Sequence, residues 1–164
     1  MRYAQIRQLD VSNGKGVGVS LFVQGCPIHC INCFNKSTWD PNGGKLWTPE
    51  VEKKFLDLVN RDYIKRVSFL GGEPLYSINI PTIKHLLQVI PNTKSKWIYT
   101  GYRWENFSRE QERTIVLADY VVDGPYIDDL KDMRLEFRGS SNQRIIDVKK
   151  SLEYGSVVTL ENLV

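Results

Sequence analysis

The sequence predicts an α/β fold, an open and partial (β/α) barrel contained in a single domain. Two patterns carry that reading. Short apolar runs of strand character alternate with amphipathic helical segments, the arrangement of parallel βαβ units with right-handed crossovers. Only about five such strands recur, too few to close the eight-stranded barrel that the same alternation builds in longer chains. Length is the third bound: 164 residues suit one domain, burying about two-thirds of its unfolded surface.

Tyr3 to Arg7 reads as a short strand, and Asn13-Gly14 behind it is a hairpin-turn dipeptide. Gly14, Gly16 and Gly18 lack the spacing of a dinucleotide fingerprint, and no helix opens after them. Val17 to Val23 alternates as a strand, with Val17, Val19, Leu21 and Val23 on one face. The run Asp40 to Gly44 is a loop. Thr48 then offers an N-cap and Pro49 the first helical position, and Val51, Phe55, Leu58 and Val59 recur at helical spacing up to Asn60. Ile64 to Leu70 suits a strand buried on both faces and runs into Gly71-Gly72-Glu73-Pro74.

A second helix over Pro81 to Ile90 aligns Ile83, Leu86, Leu87 and Ile90, leaving His85 to solvent. Lys96 to Thr100 is the next strand. Ser108 and Gln111 form a capping box for a helix ending near Leu117. Tyr120 to Asp123 is a strand stopped by Gly124-Pro125, Arg144 to Val148 is the last core strand, and Val157 to Leu160 adds an edge strand. The core thus spans residues 3–148, with 149–164 as a C-terminal tail.

The net charge of +3 is small and mixed along the chain, without the Lys/Arg run of a nucleic-acid footprint. Met1 to Asp10 has no apolar signal region, and no apolar run approaches a membrane span. The expectation is a cytoplasmic protein with neither nucleic acid nor membrane as partner, a compartment in which cysteines stay reduced.

All three cysteines, Cys26, Cys30 and Cys33, fall within eight residues in a CxxxCxxC pattern. An odd count on one loop is not a disulfide framework. Three thiolates there suit one metal centre, and three can serve three irons of a cubane cluster while the fourth iron stays open. The alternative is a structural zinc site completed by His29. Zinc ligands usually come as two separated pairs, and His29, lying between Cys26 and Cys30, leaves little slack for a fourth ligand.

This spacing resembles the signature of the radical S-adenosylmethionine (radical SAM) enzymes. Asn13-Gly14-Lys15-Gly16, the stretch Phe34 to Trp39 and the stretch Arg138 to Arg144 sharpen it. Together they resemble the anaerobic ribonucleoside-triphosphate reductase-activating family, over nearly the whole chain. The resemblance implies a radical SAM partial barrel and a 4Fe-4S cluster on Cys26, Cys30 and Cys33 with SAM on the open iron. It also implies an oxidoreductase of the formate-C-acetyltransferase-activating type, which cleaves SAM to methionine and a 5′-deoxyadenosyl radical. That radical would take hydrogen from a glycine of the anaerobic (class III) reductase, making its glycyl radical. The implied partners are the reductase large subunit and a reduced flavodoxin-like donor, in a homodimer or a hetero-oligomer with the reductase.

Gly71, Gly72 and Glu73 match the superfamily's motif for the methionine part of SAM, where glycine lets a ligand approach the backbone. Asn32 departs from the aromatic residue that many members place before the third cysteine. Adenine contact then falls to the backbone from Asn32 through Cys33 to Phe34, or to the Phe34 ring, which equally suits core packing. Arg138 and Arg144 are candidates for the SAM carboxylate, and Tyr102 for the pocket rim, whereas Trp97 and Tyr99 read as core. Two alternatives stay open: a radical SAM enzyme acting on a small molecule, and a non-enzymatic Cys3His zinc module.

Overall fold

The computed structural model describes residues 1–160. Among these, seven strands form one mixed sheet accompanied by four α-helices. The elements are β1 (Arg2–Asp10), β2 (Gly18–Val23), β3 (Lys45–Leu46), α1 (Pro49–Val59), β4 (Arg66–Gly71), α2 (Ile80–Val89), β5 (Ser95–Tyr99), α3 (Arg109–Ile115), β6 (Tyr120–Asp123), β7 (Arg144–Asp147) and α4 (Val148–Tyr154). The sheet order is β3-β1-β2-β4-β5-β6-β7. Its centre, β2-β4-β5-β6, is parallel, as the alternation predicts. Both margins are antiparallel: β1 and β2 form a hairpin, and β7 returns against β6. The return of β7 has a simple cause, since residues 124–143 hold no α-helix that could carry the chain back for another parallel strand.

Side-chain alternation gives the sheet two unlike faces. Val19, Leu21, Val23, Val67, Phe69, Ile98 and Val121 pack on one face with Phe55 and Val59 of α1, Ile83, Leu86 and Leu87 of α2, Ile115 of α3 and Val148 of α4. The opposite face carries Ser20, Arg66, Ser68 and Trp97, also buried, although no α-helix core residue lies among them. Loops cover that face instead, and the candidate site forms there.

Local chemistry sets the helix starts as expected. Thr48 accepts a bond from Val51 N with Pro49 at the first position, and Ser108 and Gln111 form the reciprocal capping box. His85 is exposed and lies 3.2 Å from Glu52.

Several expectations need correction. The first strand runs to Asp10, and Asn13-Gly14 lies in a seven-residue connection, 11–17, not a two-residue turn. Val17 falls outside β2 and is partly exposed, because the strand begins with pairing at Gly18. The tail is partly helical: Asp147 caps Lys150 N and α4 ends at Gly155 in the left-handed conformation. Only an isolated bridge, Ile146 to Thr159, marks the expected edge strand. Residues 161–164 of the expected tail lie outside the described residues.

Candidate metal centre and substrate cavity

The cysteine stretch leaves the C-terminal end of β2, and its two ends are tied together. Gly25 N donates to Thr38 O (2.7 Å), Cys26 N to Trp39 O (3.0 Å) and the Gln24 amide to Ser37 O (2.9 Å). Within the loop Cys33 N donates to Cys30 O at 3.2 Å, and two left-handed residues, His29 (φ 52°) and Asn32 (φ 57°), turn the chain. Asn and His are among the non-glycine residues that most readily adopt that conformation. The His29 ring stacks on Trp39 at 4.3 Å.

All three cysteines line one cavity of about 360 Å³. His29 is not among its lining residues, so a Cys3His set finds no support in this geometry. Among the described residues no group of three or more His, Cys, Asp and Glu is placed to hold a metal ion as it stands. The cysteines share a wall without converging. Burial pushes the thiols of Cys26 and Cys30 above the ordinary value, against backbone N–H bonds from Ile28 and His29 to Cys26 and from Tyr126 to Cys30. A cationic centre is what favours thiolates in such a place. The donor set fits an iron–sulfur cluster: three soft ligands on one loop, with backbone N–H groups aimed at all three sulfurs, Asn35 N reaching Cys33 Sγ at 3.4 Å.

Gly71, Gly72 and Glu73 line the cavity opposite, at the end of β4. Gly72 N donates to Val23 O (2.9 Å) and Glu73 N to Gly25 O (2.7 Å), so this stretch clasps the root of the cysteine loop. A β-carbon on Gly72 would stand 2.5 Å from Gly25 O and 2.9 Å from Thr38 O. The chain's own backbone is by itself a reason for glycine there.

The Glu73 carboxylate is buried and accepts from Leu75 N (2.9 Å), Thr100 Oγ1 (2.8 Å) and Gly101 N (2.7 Å). Burial pushes its carboxyl up to about 7 against those three bonds. It ties the ends of β4 and β5 together.

The remaining candidates divide. Phe34 lines the cavity and is exposed rather than core, with its ring 4.9 Å from Tyr126. Arg138 lines it too and donates to Gln143 O at 2.9 Å. The Asn32 side chain points elsewhere, to Asp128 Oδ2 at 2.9 Å, and does not line the cavity. Arg144 is committed to Asp123 (2.5 Å) and Glu105 (2.8 Å), which raise its pKa further and hold Glu105 down at about 2. Tyr102 packs against the main core instead of the rim. Trp97 is buried as expected, but Tyr99 belongs to the cavity wall.

The structure also shows a part that sequence reasoning missed. The 11–17 connection folds over the second face of the sheet and brings Ser12 and Asn13 to the cavity. Arg66, fully buried at the start of β4, pins it. The guanidinium donates to Asn13 O (2.9 Å), to Asp10 O and to Ser68 Oγ, and lies 4.0 Å from the Asp10 carboxylate. Burial alone would raise the Asp10 carboxyl, but bonds from Ser20, Asn13 and Ser12, with the Arg66 charge, hold it below the usual value. A β-carbon at Gly14 would overlap Arg66 Cδ, and one at Gly18 would lie 2.6 Å from its Cζ. The glycine-rich stretch therefore makes room for an arginine about fifty positions away, a signal no local pattern contains.

Comparison with known proteins agrees with this site. Residues 12–146 match a family model described as a 4Fe-4S single cluster domain. A Salmonella typhi protein is 42% identical over 148 residues, covering 87% of this chain and 96% of its own length. An Escherichia coli (strain K12) protein is 40% identical over 148 residues, with the same coverages. A Vibrio cholerae serotype O1 protein is 36% identical over 150 residues, covering 88% and 97%. Each is named an anaerobic ribonucleoside-triphosphate reductase-activating protein. The chain belongs to that family.

Proposed function

We propose that this protein is a radical SAM activase of the anaerobic ribonucleoside-triphosphate reductase. The observation that carries the reading is the placement of all three cysteines on the wall of one cavity, at the end of β2 and facing Gly71 to Glu73. The one-sided helix layer and a second face covered by loops around a cavity suit a partial barrel of the radical SAM type. Cys26, Cys30 and Cys33 hold a 4Fe-4S cluster, the Gly71–Glu73 backbone meets the methionine part of SAM, and Arg138 its carboxylate. Phe34 and the backbone from Asn32 to Phe34 take the adenine. Bound there, cluster and SAM would supply the radical chemistry by which an activase takes hydrogen from a glycine of the class III reductase.

The residues around the cavity hold the ligand in place and limit water. Trp97, Val122 and Ile145 pack together beneath the second face, and the pinned 11–17 connection closes over it. A reduced flavodoxin-like protein in the cytoplasm supplies the electron. No helix of the described residues is long and apolar enough to cross a membrane.

The test is to mix reduced protein, SAM and the reductase without oxygen and record an electron paramagnetic resonance spectrum. A doublet should appear and collapse when the reductase glycines carry deuterium at the α-carbon. Cys30→Ala should lose both cluster and signal. SAM consumption without a radical on the reductase would overturn the reading in favour of a small-molecule substrate, and stoichiometric zinc without iron would replace it with the zinc module.

A further inference from the structure

Among the exposed apolar side chains of the described residues, four lie on two segments that flank the cavity. Met133 is 83% exposed, Ile31 79% and Phe34 62%. Leu130 is partly exposed beside them. Scattered exposed apolar residues are ordinary, but a group at the edge of a chemical cavity marks an interaction surface. Ile31 lies between Cys30 and Cys33, and Phe34 both lines the cavity and faces outward. Met133 stands in a turn closed by Leu135 N donating to Asp132 O at 3.3 Å, and Leu135 lines the same cavity.

Three contacts join the two segments: Asn32 to Asp128 at 2.9 Å, Phe34 against Tyr126 at 4.9 Å, and Lys131 over the Phe34 ring at 5.6 Å. Some of the charges nearby are paired within the rim, while Asp129, Lys131 and Glu136 are exposed beside it. Arg134 binds Asp132 through two nitrogens, at 3.0 and 2.9 Å, and Asp128 also accepts from the Tyr126 hydroxyl at 2.7 Å.

We infer that this rim, with Ile31 and Phe34 on one side and Leu130 and Met133 on the other, is where the glycine-bearing segment of the partner reductase docks. The inference rests on the reading that the substrate is a protein. Such a substrate has to reach the cavity through its mouth, and every group that borders the mouth is then a contact. Its exposed apolar side chains suit an apolar segment, and a glycine in that segment lets its α-carbon pass between flanking side chains to the cavity.

The test uses Met133→Asp and Leu130→Asp in the full-length, cluster-loaded protein. Neither residue lines the cavity. Iron content and SAM cleavage driven by a chemical reductant, without reductase, should match the parent protein. Glycyl radical formation on limiting purified reductase should fall about tenfold or more, since each carboxylate would be desolvated at the interface. Raising the reductase concentration should recover much of the loss, as a binding defect demands. Parental rates of radical formation in both variants overturn the inference. So does loss only when a flavodoxin supplies the electron, which makes the rim a donor site. A change in self-association with intact transfer makes it a contact between copies of this chain, and again the inference fails. If the parent protein cleaves SAM but never yields a radical on the reductase, the activase reading itself falls, and this inference with it.

Discussion

Glu73 holds its proton to an unusually high pH because three donors cannot fully replace the water it has lost. Its folded value of about 7 lies above the ordinary 4.5. Between those values the folded state binds more protons than the unfolded one, so stability falls as pH rises through that window, by up to roughly 1.4 kcal/mol per pH unit. Glu73→Gln should flatten that slope in chemical denaturation curves. It should also cost about 1–3 kcal/mol at low pH, because the amide NH2 would face a donor. A slope unchanged from the parent would assign the titration to another group. Gly72→Ala should reduce iron content as well as SAM binding, since the methyl group strikes Gly25 O at the root of the cysteine loop. Full iron loading with weakened SAM binding would mean the ligand, not the backbone, sets the need for glycine.

Elements differ in how far they declare themselves. The capping box at Ser108 was readable because its two partners lie three positions apart, and Ser108→Ala should lower stability by about 1 kcal/mol in thermal or denaturant unfolding. The 11–17 connection is the opposite case. Its conformation depends on Arg66, whose side chain fills the space that Gly14 and Gly18 leave. Arg66→Met should cost about 3–5 kcal/mol, because Asp10 would remain buried without its cation. It should also raise the KM for SAM with the cluster intact, as Ser12 and Asn13 leave the cavity. An unchanged denaturation midpoint would show that the pin is dispensable. The helix α4 was missed because it spans only two turns, and its stability comes from packing Val148 into the core and capping by Asp147.

At the scale of the molecule, the helices cover one face of the sheet, and loops and the site occupy the other. The parallel centre, the helix starts and the place of the cysteine loop at the end of β2 were all legible in the sequence. Each depends on residues a few positions apart: the period-two strands, Thr48 with Pro49, and three cysteines within eight residues. Tertiary structure alone decided the antiparallel return of β7, the pairing of Asn32 with Asp128 and of Arg144 with Asp123 and Glu105, and the entry of Tyr99, Ser12 and Asn13 into the cavity wall. It also supplied the backbone's own reason for glycine at Gly72. Those outcomes turn on which distant segments share space, and local periodicity carries no information about a neighbour fifty residues away, so only the packed chain could show them.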